Sequence, residues 1–299
     1  MATLYTHKDE NVAKTWVLMS AFFAVVIAVG WAVSWYYNNP GILIVAVILA
    51  VVTNIWSYWY SDSLVIAMAG AKPADGPEYL DLNRVVENLA ITAGLPKPKV
   101  YVIDDPAPNA FATGRDAKHA AVAVTSGLLN MMERSELEGV IAHELSHVGN
   151  RDILLSTVAV VLVGLVTIIS DFFLRSMFWG GRDRDDREGK NPLVAILAIV
   201  MIVLAPILAT LLQLAISRKR EYLADASGAL LTRYPEGLAS ALRKIGAYSQ
   251  PLERANNATA HLYISNPFGP QAAKSFLIRL FSTHPPIEDR IKALVGSND

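Results

Sequence analysis

The chain has 299 residues, 53% hydrophobic and 18% charged, with 26 lysines and arginines against 27 acids for a formal net charge of −1. That balance gives no electrostatic basis for binding nucleic acid or an acidic partner, and the apolar content is high for a soluble domain. With no cysteine in the chain, disulfides and thiolate chemistry are excluded, and a metal must be held by histidine and carboxylate.

Residues 16–37 and 41–60 are apolar runs of about 20 residues, enough to cross a bilayer core of about 30 Å. Trp16, Trp31, Trp35, Tyr36 and Tyr37 cluster near the ends of the first run, and Trp56, Tyr58, Trp59 and Tyr60 end the second, as interfacial aromatic belts do. A cleaved signal peptide does not fit the length, the weakly basic start or the second run that follows at once. Residues 153–174 and 193–216 predict two more spans, although a hydrophobic hairpin packed on the domain is the alternative. The fold class expected is a mainly α membrane protein, with four transmembrane helices and an α+β metal domain carrying a small sheet.

The order divides the chain into a membrane hairpin (1–60), a polar block (61–152), a second hydrophobic hairpin (153–217) and a second polar block (218–299). Each hairpin returns the chain to its starting side, so both polar blocks share one face of the membrane and can meet at one ion. Lys8, Lys14, Lys72, Arg151, Arg218, Lys219 and Arg220 lie on that face, opposite the uncharged Asn38-Asn39-Pro40 turn. This predicts a cytoplasmic domain. The loop 175–190, with five basic residues, argues the other way.

In the first polar block, residues 78–93 predict a helix ended by Gly94 and the prolines at 96 and 98. Residues 99–103, 109–113 and 119–125 predict short strands, the last two separated by Gly114-Arg115-Asp116. A small sheet beside a metal helix can accept an extended peptide on its edge; a purely structural hairpin is the alternative. Ser135 and Glu138 have the spacing of a capping box. Leu137, Val140, Ile141, Leu145 and Val148 then mark an apolar helix face that closes at Gly149-Asn150.

That helix carries His143-Glu144-Leu145-Ser146-His147. Positions i and i+4 share a face, so both imidazoles can reach one metal, with Glu144 beside them to take a proton from a water. Zinc suits the pair, since it accepts nitrogen and oxygen ligands and lowers the water's pKa from 15.7 to about 7. A third ligand is required. Glu221 is the candidate, with Asp225 one turn on and able to accept the far ring N–H of a ligand histidine. Pairing of Glu221 with Arg218 or Lys219 is the alternative. Ala224, Ala226, Ser227, Gly228 and Ala229 are small enough for two helices to approach closely.

The motif at 143–147, Glu221 with Asp225 in EYLADASGA, the run 109–114 (NAFATG) and the Ser282-Thr283-His284-Pro285-Pro286 segment with Arg290 together resemble the HtpX family of membrane zinc metalloproteases, relatives of the CAAX prenyl proteases. The likeness covers nearly the whole chain. It implies one zinc ion per subunit on His143, His147 and Glu221, with Glu144 as general base. It also implies a bacterial inner-membrane quality-control protease acting on misfolded or damaged proteins. Asn109, Ala110, Phe111 and Ala112 are then the expected substrate-binding edge. His284 either donates to the oxyanion or starts the last helix, and Arg290 anchors that segment through a carboxylate. His7, His119 and His261 read as surface or structural. Two rivals compete with this reading: a protease with its motif inside the bilayer, disfavoured by the polar residues before the motif, and a silent adaptor with structural zinc, disfavoured by Glu144.

Overall fold

Two long helices open the chain in a computed structural model that describes residues 4–162, 218–255, 259–269 and 285–296. The expected second hairpin lies almost wholly outside the described residues, as does His284. Helix α1 (Leu4–Tyr36) and helix α2 (Pro40–Ala69) are joined by a turn in which Asn38 takes a left-handed φ of 48°. The Asn39 carboxamide accepts from the Gly41 N–H at 3.0 Å, and Pro40 fills the first helical position, where no N–H is needed. A Cβ on Gly30 would collide with that of Ala46, so glycine lets the two backbones close together. Residues 10–36 and 40–69 are both long and apolar enough to cross a membrane. Ile44, Val45, Ile48, Val52 and Ile55 of α2 point outward, as a lipid-facing surface does.

Helix α2 runs past the expected end of its span, and its last turns carry Val65, Ile66 and Ala69 beneath a four-stranded sheet. The strands are β1 (Lys72–Pro73), β2 (Lys99–Ile103), β3 (Ala110–Gly114) and β4 (Ala120–Thr125), in the order β1-β2-β4-β3. Strands β2 and β4 are parallel and the other pairs antiparallel, which leaves β3 at an edge. Alternate residues split between two layers. Val100, Val102, Ala110, Ala112, Val122 and Val124 face the helical core, while Ile103, Phe111, Ala121 and Ala123 face α2. Because both faces are covered, β4 is apolar almost throughout.

Three expectations need correction. His119 is not in a strand: the Asp116 carboxylate captures the N–H groups of Lys118 and His119 and winds Ala117–His119 into a 3-10 turn. Strand β1 was not expected, since two residues, one a proline, carry no periodicity. The third concerns where the metal helix begins. Helix α3 (Leu80–Thr92) and the short α4 (Ser126–Met131) lead to that helix, α5 (Arg134–Gly149), which starts one residue before Ser135. The cap is Glu133 with Glu136, whose carboxylate accepts the Glu133 N–H at 2.8 Å. Glu136 is buried and also takes Ser240 at 2.7 Å and Lys244 at 2.6 Å. Glu138 instead faces outward and pairs with Arg134. Tertiary partners fix which acid serves the cap.

After α5 the chain reverses through Arg151, at φ 58°, into helix α6, described over Asp152–Leu162. Leu154, Leu155, Val158, Ala159 and Leu162 of α6 pack on Leu18, Met19 and Phe22 of α1. Helices α7 (Arg218–Thr232), α8 (Pro235–Ala247) and α9 (Ile287–Val295) complete the described fold. Both α7 and α8 lie against α5. A Cβ on Gly228 would stand 3.0 Å from the His143 backbone nitrogen, and one on Gly139 would stand 2.7 Å from that of Leu238. These glycines set how near α7 and α8 come to the metal helix.

Candidate metal centre

One turn of α5 presents His143 and His147 toward α7, with their Nε2 atoms 3.2 Å apart. Glu221 projects from the first turn of α7, one oxygen 3.6 Å from His147 Nε2 and the other 3.9 Å from His143 Nε2. All three can offer one ligand atom within 4.8 Å of the others. The far sides of both rings are held. His143 Nδ1 lies 2.9 Å from Asp225 Oδ1, and His147 Nδ1 lies 3.1 Å from Asp152 Oδ2. A carboxylate on Nδ1 fixes the proton there and leaves the Nε2 lone pair free. Two such lone pairs 3.2 Å apart repel unless a cation or a proton lies between them. The donor set is the nitrogen and oxygen set that zinc accepts, and these residues fit a zinc ion.

Burial and charge set the protonation of the metal-free cluster. Burial holds the His143 imidazole below its ordinary pKa despite Asp225. Burial also opposes charge on His147, but the Asp152 hydrogen bond and the Glu221 charge outweigh it and push the ring up to about 9. Glu144 is buried, and burial, reinforced by Glu221, raises its carboxyl to about 7. The Ala112 backbone, on the β3 edge, opposes that rise.

Arg290 is the largest fully buried side chain described. Its Nε and Nη2 donate to the two oxygens of Asp225 at 2.8 and 2.7 Å, and its Nη1 donates to the Ile264 carbonyl at 2.9 Å. Burial alone would raise the Asp225 carboxyl, yet Arg290 and His143 hold it down at about 2. Asp225 therefore stays an acceptor across the physiological range.

A narrow cleft of about 30 Å3 opens on Glu144, lined by Ala112, Ser156, Arg220 and residues 261–264 among others. Of the four residues expected to meet substrate, Ala112 alone lines it. Asn109 exchanges hydrogen bonds with Ser265, and the Ala110 carbonyl accepts the Ile264 N–H at 2.9 Å. Phe111 packs edge-on against Tyr263 at 5.1 Å. His261 lines the cleft and approaches the Ser156 carbonyl at 3.3 Å, nearer the site than its sequence shows. Asp152 was missed. It stands five residues after His147, off the helical face, and only the left-handed turn at Arg151 folds it back; an acid at the threshold of an apolar run was the available signal.

The model of peptidase family M48 matches residues 78–298. A protease HtpX homolog of Caldanaerobacter subterraneus subsp. tengcongensis is 48% identical over 297 residues, 98% of this chain and 97% of that one. Another, of Thermoanaerobacter pseudethanolicus, is 49% identical over the same shares, and one of Pyrococcus furiosus is 47% identical over 94% of each chain. Among solved structures, S. mikatae Ste24p superposes with a TM-score of 0.50 at 19% identity, covering 97% of this chain and 67% of that one. The fold is shared with it.

Proposed function

The chain belongs to peptidase family M48 as a membrane metalloprotease, and on that premise we propose that it is a zinc-dependent endopeptidase of the gluzincin type. His143, His147 and Glu221 hold one zinc ion, and Glu144 is the general base. The observation that carries this reading is the pair of Nε2 atoms 3.2 Å apart with the Glu221 carboxylate beside them. When bound, zinc supplies a Lewis acid that polarises the scissile carbonyl and acidifies a water.

The protein's own groups do the rest. Glu144 receives the water's proton and hands it to the leaving amine, inside a buried site where its carboxyl is poised near neutrality. Asp225 and Asp152 keep each imidazole protonated on Nδ1 and turned toward the ion. Arg290 holds Asp225 in place and balances its charge. The β3 edge at Ala112 aligns an extended peptide across Glu144. His284 either donates to the oxyanion or starts the last helix.

The same proposal includes four membrane spans, the metal domain divided between residues 61–152 and 218–299, and a cytoplasmic site on a bacterial inner membrane. Its substrates are misfolded or damaged proteins, with the 109–114 edge and the loops around it restricting access to unfolded chain segments.

The test is cleavage of unfolded casein by the detergent-solubilised chain, beside Glu144→Gln, with zinc content measured in both. Wild type should cut and the zinc-loaded variant should fall by at least about 100-fold. Equal cutting by both would remove Glu144 from its role.

A further inference from the structure

Helix α1 reaches the metal site through Asp152. Asn11, in the polar first turns of that helix and 4% exposed, places its Nδ2 2.6 Å from Asp152 Oδ1 and 3.2 Å from the Asn150 carbonyl. The other oxygen of Asp152 accepts from His147 Nδ1 at 3.1 Å. One carboxylate, 141 positions from Asn11, thus joins a membrane helix to a metal ligand. Arg220 also approaches the Asp152 oxygen that Asn11 holds, at 3.8 Å, but its distance makes Asn11 the closer restraint.

A buried amide is expensive unless hydrogen-bonded, and an apolar side chain would serve α1 better if this position only packed. Asn11 instead donates to two acceptors in the left-handed turn that carries the chain from α5 into α6. The bond to Oδ1 bears on the orientation of the Asp152 carboxylate toward His147, and the bond to the Asn150 carbonyl ties α1 to the turn that carries it. Leu18, Met19 and Phe22 of α1 grip α6 through apolar surface, which fixes distance but not the rotation of a carboxylate, and Arg220 at 3.8 Å lies beyond hydrogen-bond reach of the oxygen that Asn11 holds at 2.6 Å.

We infer that Asn11 is a positioning residue for the metal site, acting through Asp152 on His147, so that the first membrane helix orients the carboxylate that holds a ligand histidine. The inference rests on the metal assignment proposed above.

The experiment uses the full chain in detergent, with Asn11→Leu, Asn11→Ser, Asp152→Ala and the Asn11→Leu/Asp152→Ala double variant. Zinc affinity is read by competition with a chelator, ligand geometry by the visible spectrum of the cobalt-loaded protein, and folding by circular dichroism. Asp152→Ala should weaken zinc by about 10–100-fold, the usual effect of losing the partner of a ligand histidine, and Asn11→Leu should weaken it by a measurable part of that and shift the cobalt bands. Asn11→Ser, with a shorter donor, should lie between it and wild type. In the Asp152→Ala background Asn11→Leu should add nothing.

Wild-type zinc affinity and cobalt bands in Asn11→Leu, or a full additive loss on top of Asp152→Ala, overturns the role. Should Asn11→Leu fail to fold, Asn11→Ser decides by the same two readings. A wild type that holds no zinc at all would instead overturn the metal assignment.

Discussion

Two histidines with the same spacing to a shared helix face differ sharply in their affinity for protons. His143 is held below its ordinary range by burial, and His147 is raised to about 9 by Asp152 and Glu221. The raised group favours the metal-free fold below its unfolded value of about 6.5, and that contribution fades as pH climbs through about 9. Zinc competes with the same proton. At pH 7 zinc binding should therefore release protons, and apparent zinc affinity should climb with pH until about 9. Calorimetry in buffers of different ionisation enthalpy reads this; proton uptake, or none, would contradict it. Arg290 offers a second test. Arg290→Met leaves Asp225 buried without its bidentate partner, and should cost about 3–5 kcal/mol together with much of the zinc affinity. Thermal unfolding and chelator competition would show it.

At this scale sequence reading worked where helical spacing did the work. His143 with His147, and Glu221 with Asp225, are four apart, and each pair does share a face. Asp152 escaped because a broken helix lies between it and the His147 ring, and Asn11 because it stands 141 positions from the Asp152 it holds. No periodicity spans such a gap.

Between elements, the decisive distance is that between α5 and α7, and Gly228 sets it. A Cβ there meets the His143 backbone nitrogen at 3.0 Å and the Ala142 carbonyl carbon at 3.2 Å. Gly228→Val adds branched bulk in the same place, so α7 must retreat and carry Glu221 with it. Overpacking of this kind costs about 1–3 kcal/mol. We expect a lower unfolding temperature and faster zinc loss to a chelator; wild-type zinc retention would mean that the interface yields elsewhere. The small residues at 224–229 announced a close approach, but not against which backbone atoms. The cap of α5 was harder to read, since Ser135 and Glu138 have the right spacing and lose to Glu133 and Glu136. Lys244 and Ser240, from another helix, decide between them.

For the whole molecule, orientation in the membrane is the open quantity with the cleanest measurement. The chain has no cysteine, so single cysteines at Lys118, on the tip of the sheet, and at Asn39, in the turn between α1 and α2, can be labelled without background. In intact cells a membrane-impermeant thiol reagent should modify Asn39→Cys and spare Lys118→Cys until the membrane is opened. The reverse pattern would turn the site outward. The division of the chain into hairpins and polar blocks came from hydropathy and charge, which act over tens of residues. The β3 edge illustrates what such reading cannot supply: Ile264 covers Ala110, and Tyr263 covers Phe111. Those contacts come from a loop with no strand or helix pattern of its own.

Arg290 bears on how the protein is made. It is translated 65 residues after the Asp225 it clamps, a delay of about 3–13 s at about 5–20 residues per second. Through that interval a nascent chain already carries both histidines, Glu144 and Glu221, yet Asp225 has no guanidinium to neutralise and orient it. The metal site therefore reaches the geometry described above only once α9 has been made and Arg290 has docked on Asp225.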